Sequence, residues 1–490
     1  MAIAVAFGLM GTFFLAGLYV AGALGLLAIV MMWLFSDAPL INILGNKAWE
    51  THTQIFPLVA VPLFILMGEF MLRSGLGERM YSTLSRWLSF LPGGLIHSNI
   101  ASCAVFAACC GSTVATAATI SRVALPSFRE RKYNERLVIG SLAAGGTLGI
   151  LIPPSITLII YGVLVEESIG RLYLAGFFPG FLLAIVFMIM IAIVAKIWPG
   201  IAPPEQMASW RDRFSSLVGL TPVLLLIFIV LGSIYLGWAT PTEAAAFGVS
   251  GALTLSVGGN SPFIQGLLVR FLLLFPLFPN LRSSFAAMAA ERPLRLDSVK
   301  RDIQVNLRII RDSTISATRT SSMIMLIVVA AFTLSFAFAR LGISHNLSTF
   351  ITGLDLTPTQ LIFVLVIFYL LLGTFMESFA MMVTTVPILA PALVAMGVDL
   401  VWFGIIMVIL VEAALISPPE GINLYILHGV RRDVQAEMSE ATDLQEKVGT
   451  ITDVYIGVLP FMACMAIVVS LVILFPEIAL WLPNTVKGAR

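Results

Sequence analysis

Two stretches place a Pro-Pro pair among residues that otherwise suit a membrane span: GGTLGILIPPS (145–155) and ISPPEGINLY (416–425). Each follows a stretch rich in glycine and hydroxyls, GSTVAT at Gly111 and GTFMES at Gly373, by about 42 and 45 residues. Proline deletes a backbone donor and pushes the residue before it out of the α region. Lipid cannot hydrogen-bond the groups this frees, so such a break persists only where protein, a cavity or a bound ligand satisfies them. A helix broken at mid-membrane has unpaired N–H groups at one new end and unpaired carbonyls at the other, and these ends carry about half a unit of positive and negative charge. The positive ends, with the hydroxyls of Ser112, Thr113 and Ser417, can hold an anionic carboxylate. The carbonyl ends can coordinate sodium.

Other residues bear on this chemistry. Glu377, inside the second glycine-hydroxyl stretch, is either a ligand for sodium or a proton, or an acid facing water at a hairpin mouth. Glu412, six residues before Pro418, reads better as a structural contact. Glu69 and Arg73 are four apart and pair most simply along a helix near the membrane edge. His97 reads as interfacial. The four cysteines, Cys103, Cys109, Cys110 and Cys464, lie in apolar segments without metal or redox spacing and read as packing residues. No GxxxxGK[ST] loop occurs, nor a nucleophile with a plausible base, nor a haem- or flavin-type site, so covalent catalysis and an organic cofactor are not expected.

The elements that must position these residues follow from composition. Of 490 residues, 59% are hydrophobic and 11% charged, with a mean hydropathy of +0.99. A soluble domain carries about 25% charge, so the chain is an integral membrane protein. A net charge of +1 without a basic tract gives no sign of nucleic-acid binding. Apolar runs near 3–35, 54–74, 137–165, 173–198, 214–237, 242–259, 319–340, 403–428 and 452–482 are long enough to span, a bilayer core needing roughly 20 residues. The first is too long, and lacks the charged start, for a cleaved signal peptide, and reads as a retained helix. Two more runs, 93–125 and 359–395, are interrupted at the glycine-hydroxyl stretches and read as hairpins that enter the membrane and return on the same side.

Positive charge orients them. Arg73, Arg79 and Arg86 precede the first hairpin and Arg129, Arg131, Lys132 and Arg136 follow it, which puts its ends in the cytoplasm. The joints flanking the second, 341–358 and 396–402, have no Lys or Arg, so it opens outward. The basic joint at 282–311 is cytoplasmic, MSEATDLQEK (438–447) reads as a solvated cytoplasmic loop, and Trp198 and Trp481 read as interface anchors. The N-terminus falls inside and the C-terminus outside. Hairpin and broken helix thus recur in opposite orientation, and paired interruptions in inverted halves point to a transporter's binding site. One copy suggests one sodium site, and two copies at least two.

At these motifs the sequence resembles the large membrane subunit of the tripartite ATP-independent periplasmic (TRAP) transporters. The resemblance is carried by GSTVATAATI (111–120), GGTLGILIPPSITLIIYG (145–162), AGFFPG (175–180), ATPTEAAA (239–246), PILAP (387–391), SPPEGINLY (417–425) and LFPEIALWLP (474–483). It implies an all-α polytopic membrane protein with inverted repeats and an elevator motion, in the bacterial or archaeal cytoplasmic membrane. It implies sodium-driven uptake of small organic anions, usually carboxylates. The implied partners are an extracytoplasmic solute-binding protein and a small four-helix membrane subunit, here a separate chain. A self-sufficient anion–sodium symporter or antiporter of the same fold is the alternative.

Carried over by position, the expected substrate-binding residues are Ser112, Thr113, Thr116, Pro154, Ser155, Ser417, Pro419 and Asn423. The expected sodium-binding residues are Gly111, Ser112, Gly149, Pro153, Gly373, Thr374, Glu377, Pro418 and Gly421. Departures are Thr113 where a second serine is common, Glu420 where an apolar residue is expected, and a long joint at 260–310 holding FLLLFPLFPNL (271–281). The expected division is 1–90 as N-terminal scaffold, 91–200 as first repeat core, 201–340 as central scaffold and 341–490 as second repeat core.

Overall fold

The computed structural model describes residues 2–37, 45, 46, 49, 55–203, 205, 207–260, 296–373, 376, 378–419, 421–442 and 449–486. Among the described residues there are helices and turns and no strand. The chain opens with α1 (Ala2–Leu15) and α2 (Val20–Phe35). The run expected as one helix over 3–35 is therefore two, parted at Gly17, whose φ of +73° is left-handed. Hydropathy alone cannot show this, because the turn residues are as apolar as the helices. Next come α3 (Ala60–Arg73) and α4 (Leu76–Leu88).

The first hairpin is α5 (Leu95–Cys110) and α6 (Thr113–Glu130). Gly111 ends α5 at φ +57°, a conformation open to glycine, and Ser112 starts α6 by accepting the Ala115 N–H. The first broken helix is α7 (Glu135–Leu151) and α8 (Ile156–Val165), bent by 42° across Ile152–Ser155. Ser155 caps the new N-terminus by accepting the Leu158 N–H at 3.2 Å. Then follow α9 (Ile169–Ile197), α10 (Trp210–Tyr235), α11 (Pro241–Asn260) and α12 (Leu296–Arg340). The last is 45 residues long, so the basic stretch from Arg301 to Arg311 continues the helix of the 319–340 run instead of forming a joint.

After α13 (Ile343–Thr352) the hairpin-and-break order repeats. Thr357 and Gln360 form a capping box with Pro358 in the first turn, starting α14 (Pro358–Leu372). It is followed by α15 (Ser378–Ala395). The second broken helix is α16 (Leu400–Leu415), capped by Asp399 on the N–H groups of Val401 and Trp402, and α17 (Ile422–Thr442). α17 continues through Met438–Thr442, which correct the expected loop at 438–447 in part, and 443–448 lie outside the described residues. The chain ends with α18 (Ile451–Leu474) and α19 (Glu477–Thr485). Six described helices are long and apolar enough to cross a membrane, or seven if α7 and α8 count as one span.

Burial separates lipid-facing from central helices. Ile185, Ile189, Ile193 and Ile197 recur every fourth residue on α9 and are all exposed, an apolar stripe suited to acyl chains rather than water. By contrast, every residue of α7 from Leu137 to Leu151, and of α16 from Val401 to Leu415, is buried. These two first halves of the broken helices form the centre. α7 is wrapped by α5, α6, α16 and α18, and glycines permit the closest approaches. A Cβ on Gly140 would stand 1.9 Å from the Gly457 carbonyl oxygen of α18, and one on Gly149 would stand 2.9 Å from the Ser112 carbonyl carbon. α2, α3, α10, α11 and α12 pack on one another beside this centre, and α3 and α12 meet it through α5 and α15.

Polar ties hold the periphery. Glu69 pairs with Arg73 as expected, and its other oxygen accepts from Ser316 of α12 at 2.7 Å. Arg431, 1% exposed on α17, donates to Glu135 of α7 at 2.6 Å. Arg129 of α6 donates to Gln435 at 2.8 Å, and Arg136 to Asp453 of α18 at 2.8 Å. His97 is buried with Nε2 2.7 Å from the Pro92 carbonyl. The four cysteines are free and buried, and Trp198 and Trp481 are exposed.

Candidate functional site

The first tip is pressed into the first break. A Cβ on Gly111 would lie 3.0 Å from the Pro154 carbonyl oxygen, and one on Gly149 3.0 Å from the Thr113 nitrogen. Neither residue can gain a side chain without moving backbone, so glycine here serves close approach. In the second copy Gly373, which closes α14, approaches α16 closely, leaving no room for a Cβ beside the Ala414 side chain. Both Pro-Pro bonds, 153–154 and 418–419, are cis.

Two contacts join the halves. Thr113 Oγ1, at the start of α6, lies 3.1 and 3.3 Å from the two carboxylate oxygens of Glu412 on α16. Asn423 Nδ2, in the first turn of α17, donates to the Ala143 carbonyl of α7 at 3.1 Å. Its Oδ1 is buried and has no partner among the described residues, and neither has Thr116 Oγ1 one helical turn from Thr113. Glu412, read from sequence as a structural contact, is fully buried at this junction.

Beside the junction lies a cleft of about 130 Å³. The first tip lines it from Cys110 to Ala115, with Ile150 and Ile156 flanking the first break, Ser378 and Phe379 opening α15, and Leu415 closing α16. Ile65 and Gly68 of α3 and Thr320 and Ile324 of α12 form the opposite wall. Ser112, Thr113 and Gly111 thus line the cleft. Pro153, Pro154, Ser155, Thr116 and Gly149 are buried and do not line it, and Ser155 offers its carbonyl to Tyr173 at 3.3 Å. Ser417 and Pro418 are half-buried and Pro419 is exposed, its carbonyl accepting from Tyr425 at 3.0 Å and Tyr455 at 3.1 Å; none of the three lines the cleft. Gly421 is buried against the Leu415 carbonyl. Thr374, Glu377 and Glu420 lie outside the described residues, as does the 271–281 segment.

Two hydroxyl-bearing cleft residues were absent from the expected set. Ser378, whose buried Oγ has no partner among the described residues, is the last residue of the second glycine-hydroxyl motif and was legible from its place there. Thr320 carries no local signal, being one hydroxyl among several on a long helix. A larger hollow of about 390 Å³ between α1, α12, α13, α14 and α15 is walled by apolar side chains except Thr384 and Thr385, and offers a charged solute little.

An all-helical chain with apolar outward faces and a small, partly polar cleft among paired helix breaks is a multi-pass membrane permease. The match of residues 7–478 to the family described as the tripartite ATP-independent periplasmic transporter, DctM component, makes it more particular: the chain belongs to that family and is a large permease subunit, a transporter component and not an enzyme. The C4-dicarboxylate TRAP transporter large permease protein DctM of Vibrio cholerae is 28% identical, over 100% of this chain and 99% of that one. The isethionate TRAP transporter permease protein DctMQ of Oleidesulfovibrio alaskensis is 30% identical, over 87% of this chain and 60% of that one. Among solved structures, the Alcanivorax borkumensis YdaH transporter aligns over 95% of this chain and 97% of its own, with a TM-score of 0.57 and 14% identity, a likeness of fold alone.

Proposed function

We propose that this chain is the permease of a sodium-driven importer that takes up small organic anions, carboxylates foremost, across a bacterial or archaeal cytoplasmic membrane. The single observation that supports this best is the convergence of the first tip, the start of α15 and both broken helices on one junction beside the cleft. Broken ends turned into protein need satisfying, and an anion at the positive ends with sodium at the carbonyl ends does so. The cleft lies between the helix-break core and α3 with α12, where relative sliding would carry its contents from one face to the other as an elevator. The N-terminus is cytoplasmic and the C-terminus periplasmic. An extracytoplasmic binding protein delivers the anion, and a small four-helix membrane subunit completes the complex. The relatives named for C4-dicarboxylates and isethionate fit a general organic-anion role. No cofactor is called for beyond sodium as coupling ion.

Each sodium entering down 100 mV contributes about 2.3 kcal/mol before its concentration gradient is added. Two such ions therefore support accumulation by a factor of about a hundred or more, at tenfold per 1.4 kcal/mol. Coupling requires sodium and anion to favour each other's binding reciprocally. The test is uptake of labelled succinate and isethionate into proteoliposomes holding the complete complex. Replacing sodium by choline at a fixed proton gradient should abolish uptake, and uptake that continues unchanged would refute the sodium reading.

A further inference from the structure

The two hydroxyls of the first tip are neighbours in sequence, but their protons have different places to go. Ser112 Oγ accepts the Ala115 N–H at 3.4 Å, which uses a lone pair and leaves its own O–H without an acceptor among the described residues. Thr113 Oγ1 faces both oxygens of Glu412. The contact runs from the Thr113 O–H as donor to the two Glu412 oxygens as acceptors, the arrangement an ionised Glu412 requires and one that a sodium ion beside the tip would favour. Thr113 therefore presents lone pairs to the cleft it lines, while Ser112 presents a donor. A lone-pair oxygen suits a cation and repels the oxygens of an organic anion, whereas a free O–H suits the anion. Glu412 stands behind the tip, wholly buried, and no Lys, Arg or His among the described residues pairs with it. A buried carboxylate in that position gains from a positive charge nearby.

We propose that Glu412 is a positioning residue that divides the labour of the first tip. By holding the Thr113 proton it makes Thr113 an oxygen ligand for the coupling sodium, and it leaves Ser112 as the donor to the organic anion. This moves Thr113 from the anion side of the site to the cation side. The inference rests on the sodium-coupled reading above.

The experiment is the melting temperature of the purified full-length chain against sodium chloride concentration, with choline chloride keeping ionic strength constant. Thr113→Val and Glu412→Gln should each raise the half-maximal sodium concentration about tenfold, as the loss of one charge-assisted contact would. The double variant should shift no further than either single one, since both remove the same arrangement. Thr113→Ser, which restores the hydroxyl, and Ser112→Ala should both stay within about twofold of wild type. Thr113→Val within twofold of wild type, additive single variants, or a Ser112→Ala shift as large as that of Thr113→Val would each overturn the assignment. A wild-type chain that sodium stabilises no better than choline would instead overturn the sodium reading itself, and the assignment with it.

Discussion

The first and second discontinuities are built from the same parts and differ in how they meet their surroundings. In the first, the residues from Ile152 to Ser155 are all buried, and glycine carries the tip into contact with the break at Gly111 and Gly149. In the second, the Pro418 side is half-buried, Pro419 is exposed, and two tyrosines hold its carbonyl. The second half of the first broken helix is a short apolar α8 of 10 residues, whereas α17 runs 21 residues into a polar end held by Arg431 and Gln435. The second copy also reaches across to the first, through Glu412 and Asn423. A repeated backbone device has thus acquired unequal roles: the first copy supplies its tip to the cleft wall, whereas the second lines the cleft through Ser378, Phe379 and Leu415 and holds the first tip through Glu412.

Substitutions can break or sharpen that contrast. The largest effect is expected at Gly140→Ala, where a Cβ would stand 1.9 Å from a backbone oxygen of α18. Backbone cannot yield as a flexible side chain does, so folded protein should be lost, by several kcal/mol on the scale of about 1–3 kcal/mol for ordinary overpacking and more for backbone clashes. A monodisperse, normally melting variant would show the centre to be looser than described. Gly149→Ala should be less severe, separating the first tip from its break and cutting uptake about a hundredfold while folded protein persists. Uptake near wild type would break the link between tip and break.

Asn423→Ala removes the donor to Ala143 and should cost about 1–2 kcal/mol, read as a lower melting temperature, with uptake falling about tenfold. Equal losses in Asn423→Ala and Asn423→Asp would point to the lost donor, and rescue by Asp to the Oδ1 acceptor instead. Glu135→Gln leaves Arg431 buried without its anion and should lower stability by about 1–3 kcal/mol, the lower end because Glu135 is itself 41% exposed. Smallest of all, Pro419→Ala should leave uptake within about twofold of wild type. A large loss there would restore the second break to the cleft's own chemistry and erase the asymmetry.

Local chain chemistry made much of this readable beforehand. Gly111 and Ser112 act through their own φ, cap and neighbours, and the Pro-Pro pairs act on their own backbone, so tips and breaks were placed correctly in both copies. The Glu69–Arg73 pair, four residues apart on one helix, was equally plain. What was missed has a physical cause in each case. The turn at Gly17 hides in uniformly apolar sequence. The helical Met438–Thr442 reads as a loop because charge, not periodicity, dominates it.

The sequence by itself determined that the chain enters the membrane and that interruptions marked by glycine and proline recur in pairs. These follow from transfer of apolar side chains and from backbone groups that proline and glycine alter on the spot. Only the tertiary structure decided which groups meet at the interruptions. Thr113 and Glu412 are 299 residues apart, and no local rule couples them. Their contact exists because α7 and α16, buried from Leu137 to Leu151 and from Val401 to Leu415, pack side by side and bring one copy's carboxylate to the other copy's tip.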